Sequence, residues 1–135
     1  MRLVTFRSAG RAPAPGALVD GGTKVAALPG FTSVLEIVEG GDNALERVRE
    51  FLKRPVTVLP IENVALLAPI PYPPQMRDFL CFERHLRQAF EAVAKLRGTP
   101  ARIPEVWYER PIFYHPSRFS VCGPDADVPW PSYTE

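Results

Sequence analysis

Proline constrains this chain more than any other residue. Sixteen of the 135 residues are proline, about twice the usual share of roughly 5%. They cluster at Pro69-Ile70-Pro71-Tyr72-Pro73-Pro74 and Pro129-Trp130-Pro131. Proline fixes φ and lacks an N–H, so these stretches are neither helix interiors nor central strands. Much of the second half is therefore expected to be extended, loop-like backbone held by its surroundings. The length suits one ordinary domain, or a small one with an appendage, able to bury a core without disulfides or metals. Apolar residues at 46% and charged residues at 23% exclude wholesale disorder. A formal charge of +1 lacks the basic excess that drives counterion release, so no nucleic-acid partner is expected. Cys81 and Cys122 form no CxxC and no zinc spacing, and read as buried or idle thiols in a reducing compartment. Arg2 and Arg7 flank only Leu3-Val4-Thr5-Phe6, which is no signal peptide. The longest apolar run, Val64 to Ala68, falls far short of the roughly 20 residues a membrane helix needs. The expectation is a soluble, cytoplasmic protein with no membrane partner.

Residues 1–30 read as short strands with Gly and Pro punctuation. Arg2–Arg7 is a first strand, Ser8–Pro15 a loop, and 16–20 with 24–28 a hairpin across Gly21-Gly22. A short helix over 32–38 is capped by Ser33. A longer one over 43–54 has Asn43 and Glu46 as a capping box, Leu45, Val48, Phe51 and Leu52 as its apolar face, and a Glu50–Arg54 pair; Pro55 stops it. Residues 56–61 and 64–67 are strand-like. The proline cluster from Pro69 then reads as a linker, dividing an N-terminal α+β domain (1–68) from a second region (69–135). From Met76 to Arg97 the period becomes helical, with Phe79, Phe82, Leu86, Phe90 and Val93 on one stripe and Gly98 as C-cap. Residues 100–111 are irregular, 112–114 strand-like, 117–122 extended, and 123–127 a turn.

No self-sufficient catalytic motif is present: no GxSxG, Walker A loop, GxGxxG, HExxH or EF-hand loop. With two histidines, His85 and His115, a three-histidine metal site within one chain is impossible. The informative pair is Asp78 and His85. Seven residues apart on one helix, they would lie within about 20° of each other and about 10.5 Å apart, at two ends of one pocket beside the apolar stripe. The bland alternatives are a helix-dipole partner for Asp78 and a structural role for His85.

The segment Arg77-Asp78-Phe79-Leu80-Cys81-Phe82-Glu83-Arg84-His85-Leu86-Arg87 resembles the opening of the catalytic domain of the fumarylacetoacetate hydrolase family. Leu66-Leu67-Ala68-Pro69-Ile70-Pro71 looks like that family's approach to the same domain. Pro111-Ile112-Phe113-Tyr114, followed by Ser120-Val121-Cys122-Gly123-Pro124-Asp125-Ala126-Asp127-Val128-Pro129, is similar to its next stretch. The first six residues and the Gly-Gly hairpin fit its small leading domain, so the resemblance spans nearly the whole chain. The fold class it implies is α+β: a small β-rich N-terminal domain, then the beginning of a mixed, β-barrel-like catalytic domain with one long helix.

Members of this family act on carbon–carbon bonds of diketo and oxo acids with Mg2+ or Mn2+. Breaking such a bond expels a carbanion, tolerable as an enolate held by a cation. By resemblance His85 is the water-activating base, Asp78 a metal ligand, and Tyr114 and Arg118 contacts to the substrate, the last to its carboxylate. A core aromatic and a surface arginine are the ordinary alternatives for Tyr114 and Arg118, and His115 reads as a loop histidine. The family completes its metal site with a Glu-x-Glu strand and a later aspartate, downstream of the Pro-Trp-Pro-Ser-Tyr-Thr-Glu pattern that ends here at Glu135. Gln88 stands where some relatives carry a glutamate that pairs with the histidine. The 135-residue chain alone is accordingly expected to be inactive, with a homodimer or the rest of the catalytic domain covering its helix. The competing reading is a non-catalytic interaction module whose aromatic C-terminal arm (Trp107, Tyr108, Phe113, Tyr114, Trp130, Tyr133) docks on a partner.

Overall fold

The computed structural model describes Met1–Tyr133; Thr134 and Glu135, which close the Pro-Trp-Pro-Ser-Tyr-Thr-Glu stretch, lie outside the described residues. The fold is α+β. Its contacts divide into two units, Met1–Pro73 with the segment from Phe119 onward, and Pro74–Arg118.

The first unit is built on a curled five-stranded antiparallel sheet. Its strands are β1 (Leu3–Ser8), β2 (Ala14–Val19), β3 (Lys24–Ala27), β4 (Val58–Pro60) and β5 (Val64–Leu67), in the order β4-β3-β2-β1-β5. Alternation along β1 sends Val4 and Phe6 into one apolar cluster with Val25, while Leu3 packs against another with Ala17 and Leu28. Both faces of the sheet are thus apolar. One is covered by α1 (Val34–Glu39) and α2 (Gly41–Lys53), which contribute Ile37, Ala44 and Val48; the other is shielded by Leu18, Leu59, Val64 and Leu66 from the curled sheet itself. The buried Thr5 hydroxyl donates to the Pro69 carbonyl at 2.7 Å, and among the described residues no buried side-chain polar atom is left without a partner.

The hairpin forms where the sequence places it. Asp20, Gly21 and Gly22 all have positive φ (50°, 71° and 102°), which the two glycines accept without strain. The second strand begins earlier than expected, at Ala14, which places Pro15 inside an internal strand. The Pro15 carbonyl accepts the Leu28 N–H at 3.0 Å, so its missing N–H lies on the side where β3 has already ended. Gly16 follows because a Cβ there would lie 2.8 Å from Val25 Cγ1 and 2.9 Å from Phe6 Cε1.

Ser33 caps α1, its hydroxyl accepting the Glu36 N–H at 3.0 Å. The Glu36 carboxylate reaches back to the Thr32 N–H and hydroxyl, both at 2.7 Å, and these bonds hold its carboxyl below the usual carboxylate range. Asn43 is not the cap of α2. The chain passes from α1 through Gly40 and turns at Gly41 (φ 57°), so Asn43 falls inside the first turn and Glu46 pairs with Arg49 instead. Nor does Glu50 pair with Arg54, which has left helical geometry (φ −143°) ahead of Pro55; Lys53 takes that place at 2.6 Å. From the C-terminal segment, Gly123 comes close enough to the edge strand β5 that a Cβ would lie 2.9 Å from the Leu66 carbonyl oxygen. Residues 117–122, expected to be extended, form no strand, and Arg118 and Phe119 make a turn. The turn at 123–127 is present, closed by the Ala126 N–H on the Gly123 carbonyl.

The second unit holds β6 (Asp78–Phe79), α3 (Glu83–Arg97), α4 (Val106–Glu109) and β7 (Phe113–Tyr114). The helix expected from Met76 starts only at Glu83. The reason is competition for backbone groups upstream: Asp78 and Phe79 pair antiparallel with Tyr114 and Phe113, and the Leu80 N–H donates to the Ile112 carbonyl at 3.1 Å. The Trp107 indole N–H then donates to the Leu80 carbonyl at 2.7 Å. With those groups spent, Phe82 takes an extended conformation and starts the helix. Gly98 ends it in the left-handed region (φ 65°), as its position in the sequence implies. Among the described residues no helix is long and apolar enough to cross a membrane.

Candidate functional site

The expected site residues all fall in the second unit, and the structure brings two of them together. Asp78 and Tyr114 are direct partners across the β6–β7 ladder. Directly opposite residues of an antiparallel pair point to one face, with Cβ atoms about 5 Å apart. The ladder is held by its other pair: the Phe79 and Phe113 rings stack tilted with centroids 5.1 Å apart, and the Arg77 guanidinium lies 4.7 Å over Phe113. His115 is more than a loop residue, since its ring meets Phe113 edge-on at 4.9 Å.

His85 sits elsewhere, exposed in the first turn of α3. The alignment of Asp78 and His85 along one helix face does not exist, because Asp78 is a strand residue. No hydrogen bond joins Asp78, His85 and Tyr114 among the described residues. Arg118 is exposed at the turn that follows β7. Tyr114 is exposed rather than a core aromatic.

Sequence reasoning missed the walls of a neighbouring hollow. A cavity of about 350 Å3 opens between the β6 end and α4–β7, lined among others by Leu80, Cys81, Trp107, Arg110 and Ile112. Beside it, the Tyr108 hydroxyl donates to the Glu83 carboxylate at 2.9 Å, a bond to the protonated phenol that raises its pKa above the ordinary tyrosine value. The adjacent aromatics Trp107-Tyr108 were visible in the sequence, but not their partners. Cys81 and Cys122 are free and exposed, not buried.

Among the described residues, no group of three or more His, Cys, Asp or Glu gathers where it could hold a metal ion. Asp78 is a single exposed carboxylate, and magnesium needs several oxygen donors in a near-octahedral array. The described residues therefore do not by themselves fit a Mg2+ or Mn2+ site. Compared with known protein families and with curated proteins, the chain matches no family model and no curated protein.

Proposed function

We propose that this chain is part of a cytoplasmic, fumarylacetoacetate hydrolase-like enzyme acting on carbon–carbon bonds of diketo or oxo acids, incomplete and inactive as these 135 residues alone. The observation that carries the reading is the pairing of Asp78 with Tyr114 on one face of the β6–β7 ladder. Two residues remote in sequence, each marked by the same resemblance, meet there. In this reading the Tyr114 hydroxyl donates to a substrate oxygen and Arg118 pairs with the substrate carboxylate. His85 takes a proton from water, which adds to the ketone; the carbon–carbon bond then breaks, its electron pair leaving on the neighbouring carbon as an enolate. The reading asks that the rest of the site supply the remaining carboxylates of the Mg2+ or Mn2+ centre, since in this unit the resemblance marks Asp78 alone as a ligand. A second reading, a non-catalytic interaction module, draws on the exposure of Tyr108, Tyr114, Trp130 and Tyr133.

Calorimetric titration separates these. Acetylpyruvate, a 2,4-diketo acid, is expected to bind the chain weakly, with Tyr114→Phe weakening it further, and Mn2+ alone is expected to show no micromolar one-to-one binding. No diketo-acid binding under any condition overturns the enzyme reading. Tight Mn2+ binding lost in Asp78→Ala overturns the incomplete site instead.

A further inference from the structure

A second cavity, of about 230 Å3, opens in the first unit where β1 and β3 stop and β2 and β4 begin. Its walls are apolar: Phe6, Leu28 and Phe31 are buried, and Ala14 and Leu59 are half-buried. The backbone there is already committed. The Leu28 N–H donates to the Pro15 carbonyl and the Ala27 N–H to the Thr57 carbonyl, both at 3.0 Å, and the Arg11 N–H to the Ser8 carbonyl at 3.1 Å. The polar side chains on the cavity are those of Ser8, Arg11 and Thr57. None of the three makes a side-chain hydrogen bond or ion pair among the described residues. Charge is one-sided: residues 6–15, 27–31 and 57–59, which form the cavity, include Arg7 and Arg11 and no Asp or Glu. On the helical side, Arg47 lies 4.5 Å over the Phe31 ring and is balanced by the Glu36 carboxylate held at Thr32. Glu46 and Glu50 of α2 pair with Arg49 and Lys53. Arg11, the one charged residue lining the cavity, is left as a positive charge without a counterpart.

We infer that this cavity is a binding site for a small monocarboxylate with an apolar body, of the size of a short-chain fatty acid. At about 30 Å3 for each water in the liquid, the space suits roughly eight non-hydrogen atoms. That is below the roughly 300–1,000 Å3 of pockets for drug-sized ligands. The hydrocarbon part displaces water from walls that cannot hydrogen-bond it. The carboxylate, ionised at neutral pH, meets the Arg11 guanidinium, whose planar fork matches it, with the Ser8 and Thr57 hydroxyls as further donors. One positive charge answers one negative charge. An extended peptide is not the occupant, because strand addition needs open backbone groups and those at the rim are spent. Every residue involved belongs to the first unit, so the inference is independent of the catalytic reading.

The test is an amide NMR titration of the whole chain with hexanoate, set beside hexanamide and acetate. Hexanoate is expected to bind with a Kd of about 1 mM, as suits so small a ligand, and to shift the amides of Phe6, Arg11, Leu28 and Thr57. Acetate, which lacks the apolar body, and hexanamide, which lacks the charge, are each expected to bind about fivefold more weakly or less. Arg11→Gln, an exposed substitution that leaves the amide spectrum otherwise unchanged, is expected to weaken hexanoate about fivefold and to leave hexanamide unaffected. Four results overturn the site: no shifts at these amides, shifts confined to Pro74–Arg118, acetate binding as well as hexanoate, or hexanoate binding untouched by Arg11→Gln. Shifts at the same amides that follow protein concentration rather than hexanoate assign the cavity to a second copy and overturn it too.

Discussion

Met1–Pro73 and Pro74–Arg118 bury their apolar side chains to very different extents. In the first unit, β1, β2, β3, α1 and α2 each place at least one buried side chain in the core, with Val25, Leu28, Ile37 and Val48 at 1% exposure or less. In the second, Leu86 is the only described residue that is buried. Both are rich in apolar residues; what differs is closure. A sheet that curls, with two helices across its outer face, encloses the apolar side chains of both its faces. A two-residue ladder and one long helix cannot, and that unit is held by backbone hydrogen bonds and ring contacts around Phe113 and Trp107. Its apolar surface remains outward, available to whatever covers it.

The sharpest way to break this comparison is to remove equivalent volume from each unit. Ile37→Ala is expected to cost about 2–5 kcal/mol in urea unfolding, because a fully enclosed side chain leaves a cavity. Leu86→Ala is expected to move that transition little and instead to abolish hydrogen-exchange protection in α3. Equal effects on the main transition would mean that the two units unfold as one.

A smaller loss is expected from Gly16→Ala. The added methyl group meets Val25 Cγ1, Phe6 Cε1 and the Ala26 carbonyl oxygen, at 2.8, 2.9 and 3.0 Å. Overpacking of that kind costs about 1–3 kcal/mol, read as a lowered denaturation midpoint. A neutral outcome would show that the sheet's curl is softer than its packing implies.

The smallest effect belongs to the edge of the first unit. Glu36 is held below the ordinary carboxylate range by the Thr32 N–H and hydroxyl. A depressed folded value means that the stabilisation is present above the unfolded pKa and fades as pH falls through the folded one. Glu36→Gln should therefore lower the melting temperature slightly at neutral pH, with the gap to the unaltered chain closing in acid. A gap that does not depend on pH would remove the charged bond as its cause.

Local signals were legible. The Gly21-Gly22 turn, the Ser33 cap and the Gly98 stop each depend on the conformational habit of one or two residues. The same logic misplaced Asn43 and Glu50, because a chain passing directly from α1 into α2 at Gly40 and Gly41 overrides a capping pattern that would hold for an isolated helix. Asp78 shows the limit most clearly. Its position fits the helical stripe, yet Asp78 and Phe79 pair with a strand far along the chain.

The sequence by itself determined the α+β class, the hairpin, the Ser33-capped helix, the presence of a second helix after it and the stop at Gly98, since backbone preference and side-chain period act over a few residues. Only the tertiary structure decided that Asp78 faces Tyr114, that Trp107 closes over Leu80, and that Phe82 and Leu96 remain in solvent. Those outcomes depend on which distant backbone groups and side chains win the competition for partners, and a two-residue strand carries no periodicity from which that result can be read.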